Sequence, residues 1–175
     1  MLNRKKILIA LTGPVGCGKS HIARILSKKL EAVHIRTDDI RVALRTKGKA
    51  YDAAPRIAAI MRDKALSTGT SVIADFDAVL PRRQRELAAI AKKWEARFFL
   101  IRIETPEKII LSRLAKKHYT KKELFKNAAE AIRVYHIRKK LHEKQLQPTA
   151  DFVINNGNLL DPQIQKIVKR IRAYN

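Results

Sequence analysis

The chain has 175 residues, 46% of them hydrophobic, and a formal net charge of +22. That length suits one domain, residues 1–175, with a sizeable core; no apolar run approaches the roughly eighteen residues of a membrane span; and a single cysteine excludes an internal disulfide and fits a reducing, cytoplasmic setting. The charge exceeds what solubility or one bound nucleotide requires and points to a polyanionic partner such as RNA or DNA, the bland alternative being a generally solvated basic surface; with aromatics at 6%, contact would be with phosphates rather than by base stacking.

The first predicted element is an apolar strand, Lys6–Leu11, of the continuous kind buried in parallel sheets. Asn3-Arg4-Lys5-Lys6 ahead of it imitates the start of a secretory signal. The apolar run is too short for one, and cleavage would destroy the glycine-rich segment after the strand. That segment is Gly13-Pro14-Val15-Gly16-Cys17-Gly18-Lys19-Ser20, G-x-x-x-x-G-K-S, leading into a helix predicted over Lys19–Lys29 with Ile22, Ile25 and Leu26 at helical spacing. Strand, glycine-rich loop and helix together make a phosphate-binding loop. Its glycines let successive N–H groups turn inward, and the helix start adds partial positive charge. Lys19 carries a full charge to the outer phosphates, the Ser20 hydroxyl can ligate magnesium, and His21 closes the set. Cys17 lies inside this loop, where N–H groups could lower its thiol pKa; a small filler is the simpler reading, a redox role the other.

A strand over Ala32–Arg36 and a helix over Asp39–Arg45 come next. Asp38 and Arg41 are three apart and share a helix face, whereas Asp39 and Arg41, two apart, do not. Asp38 could accept a hydroxyl proton while Arg41 orients it; a capped helix start with a surface ion pair is the alternative. A helix over Ala54–Ser67 leads to a strand, Ser71–Asp75, which is apolar and ends in an acid, like a Walker B element. Asp75 is a candidate for holding magnesium or a substrate hydroxyl; Asp77 is less well placed, and one of the two could merely cap the turn.

A helix over Pro81–Trp94 and a strand over Phe98–Ile103 lie beyond it. The remaining elements are helices over Pro106–Lys117, Lys122–Lys144 and Pro162–Ala173, and a strand over Phe152–Asn155. Pro81, Pro106 and Pro162 suit first helical turns, with Thr105 and Asp161 as N-caps. The basic run from Arg113 to Lys122 suggests a lid over phosphates, about residues 113–140, with Arg113 able to neutralise charge on a moving phosphoryl group; a solvated helix end is the alternative. The five histidines show no metal-ligand spacing. Strands alternating with helices predict an α/β P-loop NTPase three-layer fold: a five-stranded parallel sheet, helices on both faces, a helical lid, and ligands at the carboxyl ends of the strands.

Taken together, the phosphate loop, Asp38-Asp39-Ile40-Arg41 and Ser71–Asp75 give the chain, from Ile7 to about Ile171, a form that resembles the small P-loop kinases typified by polynucleotide 5′-hydroxyl kinases. Zeta-toxin and chloramphenicol phosphotransferase-like kinases are relatives. The resemblance implies that Asp38 is the general base, Arg41 its helper, Asp75 a substrate contact and Arg113 a lid arginine. Lys117 stands where the family usually has a second lid arginine, and lysine cannot make the bidentate fork. The loop Asn155-Asn156-Gly157 would lie near the nucleotide base, its backbone reading adenine and its side chains an ordinary turn. His34-Ile35-Arg36-Thr37 is similar to an adenylate-kinase strand, but D-G-x-P-R is absent. Shikimate kinase needs D-x-D where this chain has adjacent Asp38 and Asp39.

The expectation is therefore an ATP-dependent phosphotransferase. ATP and Mg²⁺ would bind on residues 13–21, with Ser20 and Asp75 at the metal. Lys19, Asp38, Arg41 and Arg113 would be catalytic, and Asp38, Arg41, Asp75 and Lys117 would face the acceptor. The acceptor expected first is the 5′-hydroxyl of a nucleic acid. A small molecule, or a nucleotide-switched nucleic-acid-binding protein, is the alternative.

Overall fold

The computed structural model describes residues 5–48, 50–121, 123–144 and 149–174. The apolar runs form strands and the 3.6-period segments form helices, with one or two helices between successive strands. The elements are β1 Ile7–Thr12, α1 Lys19–Leu30, β2 Val33–Arg36, α2 Thr37–Thr46, a 3₁₀ turn at Tyr51–Ala53, α3 Ala54–Ser67, β3 Val72–Asp75, α4 Pro81–Lys93, β4 Arg97–Glu104, α5 Glu107–Lys116, α6 Ala128–Lys144, β5 Phe152–Asn155 and α7 Leu160–Arg172.

The strands pair in parallel in the order β2-β3-β1-β4-β5, with Ile9 opposite both Ile73 and Phe99. The chain leaves β1 for one side of the sheet and later returns to the other. The crevice where the order reverses therefore opens at the carboxyl end of β1, where the glycine loop begins.

Strand side chains alternate between two apolar layers. Ile7, Ile9, Leu11, Ile73, Phe99, Ile101 and Ile103 pack against α1, α5, α6 and α7 through Ile22, Leu26, Ile110, Tyr135, Ile164 and Ile171. Leu8, Ala10, Ile35, Val72, Ala74 and Leu100 pack against α3 and α4 through Ala58, Leu66, Leu87 and Ala91. Both faces are covered, as a parallel sheet requires.

Four boundaries differ from expectation for local reasons. Helix α2 begins at Thr37, so Asp38 and Asp39 both lie in its first turn, where negative charge suits the N–H dipoles. Helix α6 does not run from Lys122, which lies outside the described residues. It starts at Ala128, because the Asn127 side chain accepts from the Glu130 N–H at 2.9 Å while the Glu130 carboxylate accepts from the Lys126 N–H at 2.6 Å, a reciprocal capping arrangement. Thr105 does not cap α5; Pro106 takes that position and the threonine hydroxyl is used elsewhere. Asp161 lies inside α7, whose cap is Leu159.

Candidate active site

The glycine loop folds as the motif demands. Gly13, Gly16 and Gly18 all have positive φ, at 148°, 81° and 102°, and Gly18 immediately precedes α1. The ends of β4 and β5 hold the loop from behind. The Cys17 carbonyl accepts from the Thr105 hydroxyl at 2.9 Å and from the Asn156 side-chain amide at 2.7 Å. Asn156 is thus no ordinary turn residue: it is buried, and its side chain braces the phosphate loop. Asn156→Ala should lower unfolding free energy by about 1–3 kcal/mol, because it removes a buried partner, and denaturant titration reads the loss.

Lys19 leads α1 and folds back on its own loop, donating to the carbonyls of Gly13 at 2.5 Å and Pro14 at 3.0 Å. These bonds hold the ammonium at the mouth of the loop, where phosphate oxygens would replace them. Cys17 is fully buried beside it, and that burial pushes the thiol pKa up despite the lysine charge, where the loop amides could have lowered it. His21 is exposed on the first turn of α1. Arg113, from α5, donates to the Asn156 carbonyl at 3.2 Å and reaches to 3.7 Å from the point where a Gly18 side chain would begin. Arg113, the arginine expected in a lid, therefore lies against the phosphate loop.

Asp75 ends β3 almost fully buried. It accepts a hydrogen bond from the Ser20 side chain and pairs with His34 Nε2 at 2.9 Å, with Arg36 Nε 3.7 Å away. Burial alone would raise its pKa. The hydrogen bonds from His34 and Ser20 and the charges of His34 and Lys19 outweigh burial and hold it below the usual carboxylate range. An ionised carboxylate bonded to the loop hydroxyl is a hard oxygen pair suited to magnesium alongside phosphate and water oxygens.

Asp77 has a different job from the one expected of it. It accepts from the Thr12 hydroxyl at 3.4 Å, the Gly13 N–H at 3.5 Å and His142 at 2.6 Å. It thereby straps the end of α6 to the root of the phosphate loop. Its pKa is also lowered: burial opposes, but the His142 bond and the Lys19 charge prevail. Because Asp75 and Asp77 both bind protons more weakly folded than unfolded, their stabilisation is complete above pH ~4, the unfolded carboxylate value, and disappears as pH falls through the folded values. Unfolding free energy measured from pH 6 downward should fall below that point, and fall less steeply in Asp77→Asn.

Across the crevice, at the start of α2, Arg41 donates to Asp38 at 2.7 Å, the two side chains being 29% and 34% exposed. Arg41 also lies 5.8 Å over the Tyr51 ring. Asp39 turns away and pairs with Arg36 at 2.7 Å, so the face argument from spacing holds. Asp38 is left with a partner on one side and solvent on the other, the condition for accepting a proton from a docked hydroxyl.

Between α5 and α6, Lys117 binds Glu123 at 2.6 Å and lies 5.7 Å from the Tyr119 ring. That engages it with its own segment, on a partly exposed surface. Arg45 of α2 donates to the carbonyls of Glu123 at 2.6 Å, Leu124 at 3.0 Å and Lys121 at 3.2 Å.

The residues that reading the sequence missed are His34, His142, Thr105, Asn156 and Arg45, each a partner of a distant segment. None left a local signal; His34 is two residues before Arg36 on a strand that the structure places in register with β3, so both share one face beside Asp75. Among the described residues no group of three histidine, cysteine or acidic side chains could hold a metal by itself, and no helix is long and apolar enough to cross a membrane.

Solved structures with this architecture span nearly the whole chain. The APS kinase CysC of Mycobacterium tuberculosis, solved with AMPPNP and APS, superposes with a TM-score of 0.64 at 17% identity, covering 94% of this chain and 96% of that one. A gluconokinase from Sinorhizobium meliloti 1021 gives 0.62 at 15%, covering 98% and 94%, and a sugar kinase from Janibacter sp. HTCC2649 gives 0.60 at 16%, covering 94% and 93%. At these identities the likeness is one of fold. No curated protein sequence matches the chain. The family model described as AAA domain matches residues 8–133, from β1 through the phosphate loop, Asp38, Asp75 and Arg113 into α6, and the chain belongs to that family.

Proposed function

We propose that the protein is an ATP-dependent kinase that transfers the γ-phosphoryl group to a hydroxyl of a small molecule. The observation that carries this reading is the pairing of two half-sites on one sheet edge. Lys19, Ser20 and Asp75 form the first, and the half-exposed Asp38–Arg41 pair forms the second. Magnesium, when bound, offsets charge on the β- and γ-phosphate oxygens. Ser20 and Asp75 would hold it, Asp75 being kept ionised by His34. Lys19 exchanges its loop carbonyls for phosphate oxygens, and Arg113, against the loop, faces charge that grows on the transferring group. Asp38, aligned by Arg41, receives the acceptor proton. Most of the acceleration comes from position and fixed charge, since this transition state is loose.

The small-molecule acceptor is supported by the neighbours of like fold, whose names are those of an APS kinase, a gluconokinase and a sugar kinase. A nucleic acid 5′-hydroxyl is the second reading, favoured by the net charge of +22. Radiolabelled ATP, offered with a panel of sugars and small hydroxy acids and with 5′-hydroxyl oligonucleotides, decides between them. Label on a small molecule supports the proposal, and label confined to the oligonucleotides favours the second reading. Salt-sensitive oligonucleotide binding with no labelled product would make the protein a nucleotide-dependent binder instead.

A further inference from the structure

Arg62 is out of place for a surface residue type. It sits on α3 between Ala58 and Leu66, on the stripe that faces the sheet, and is only 7% exposed. Its Nε is sealed from solvent with no hydrogen-bond partner, and no carboxylate pairs with it among the described residues. The other sealed guanidinium nitrogen, Arg36 Nε, has Asp75 at 3.7 Å and a neighbouring nitrogen bonded to Asp39; Arg62 has only the Phe76 ring, 5.9 Å from its carbon. A ring at that distance does not replace the hydrogen bond that the sealed Nε–H makes in water. A buried, unpaired cation is the kind of exception that calls for an absent partner.

The topology says where the charge points. Helix α3 runs from the carboxyl edge of β2 back to the start of β3, antiparallel to both strands. Helical side chains lean toward their helix N-terminus, so Arg62 leans toward the carboxyl edge, the edge of Asp38 and Asp75. Phe76 is there, immediately after Asp75. So is the first turn of α4, which follows Phe76 in the chain and carries Arg83. The acids whose charge reaches Arg62 are already engaged: Asp63 by Trp94 and Lys93, and Glu86 by Arg82 and Arg83.

We infer that Arg62, against the Phe76 ring, and Arg83, on the first turn of α4, form an oxyanion subsite that receives a carboxylate, sulfate or phosphate group carried by the acceptor alcohol. This rests on the kinase reading for its acceptor, and it deepens that reading to an anionic substrate class. Burial and the nearby Arg83 lower the Arg62 pKa without neutralising so strong a base, so an oxyanion would find a full charge there.

The test is calorimetric titration of inorganic phosphate into the full chain, with the phosphate loop first filled by a non-hydrolysable ATP analogue and magnesium. Wild type should bind one phosphate. Arg62→Met, of similar volume, should bind it at least tenfold more weakly while melting no lower in phosphate-free buffer. Arg83→Gln, an exposed change with little risk to folding, should weaken binding in the same direction. In turnover, Arg62→Met should raise KM for an anionic alcohol about tenfold and leave its uncharged counterpart unaffected, and phosphate should compete with the anionic acceptor. Phosphate affinity unchanged within twofold in both variants overturns the subsite. Phosphate that binds without competing with the acceptor overturns the acceptor as its source and marks a free-ion site. If the analogue itself does not bind, the kinase reading fails, while the phosphate titrations still decide the subsite.

Discussion

Asp38→Asn should slow phosphoryl transfer by about 10²–10⁴-fold, the range general bases contribute, while the dissociation constant for magnesium–ATP changes less than twofold. The asparagine keeps the size of the side chain and can still accept from Arg41, so the 2.7 Å contact and the start of α2 survive. What is lost is the ability to take a proton from the acceptor. ATP binding depends on the other half-site, where Lys19 and Ser20 are untouched. Single-turnover rates with saturating ATP, beside calorimetric titration of the ATP analogue, separate the two quantities. A variant with full turnover would remove Asp38 from the mechanism, and one that lost ATP affinity would place the carboxylate at the nucleotide instead.

Gly13→Ala should cost about 2–5 kcal/mol of unfolding free energy, combining backbone strain with overpacking. Gly13 has φ near 148°, a region side-chain-bearing residues rarely adopt. A methyl group there would lie 2.7 Å from the Ile103 carbonyl oxygen and 2.8 Å from the Cys17 sulfur. The sulfur belongs to a short side chain with nowhere to go, and the carbonyl belongs to β4, paired with β1 at Leu11 and Thr12. Relief therefore means parting two central strands or shifting the loop that carries Lys19. Urea titration should show the midpoint falling with an unchanged slope, and nucleotide affinity should fall with it. Near wild-type stability would mean that the β4 edge yields more easily than its pairing implies.

The fold was written in the order of apolar periods. β1 is buried at all six positions and its first five residues read as one unbroken apolar run, α3 begins and ends where its pattern does, and the five strands fall where expected within a residue at each end. The phosphate loop and the Asp38–Arg41 pair were legible because each is local: spacing along one turn settles which side chains meet. Asp75 was legible as an acid closing an apolar strand. Its partner His34 was not, being 41 residues away on another strand, and His142 reaches Asp77 across 65. Such pairs are products of sheet order, which no short window contains. Asn156 misled because asparagine before glycine is common turn chemistry, while its buried bond to Cys17 depends on β5 lying beside β4. Helix α6 was drawn too long for another reason. Asn127 and Glu130 spell a helix start, but the segment from Lys121 to Lys126, free of glycine and proline, hid it.

The three carbonyl contacts of Arg45 join the helix that bears Asp38 to Lys121, Glu123 and Leu124. A tilt of one must drag the other or give up three charge-assisted bonds together. In an enzyme of the proposed kind, docking of the phosphoryl recipient and sealing of the reaction chamber then become a single event. Water, which cannot reorganise that helix, would not trigger that event in the proposed kinase, so idle ATP hydrolysis would be curbed by mechanical linkage rather than by chemical selectivity.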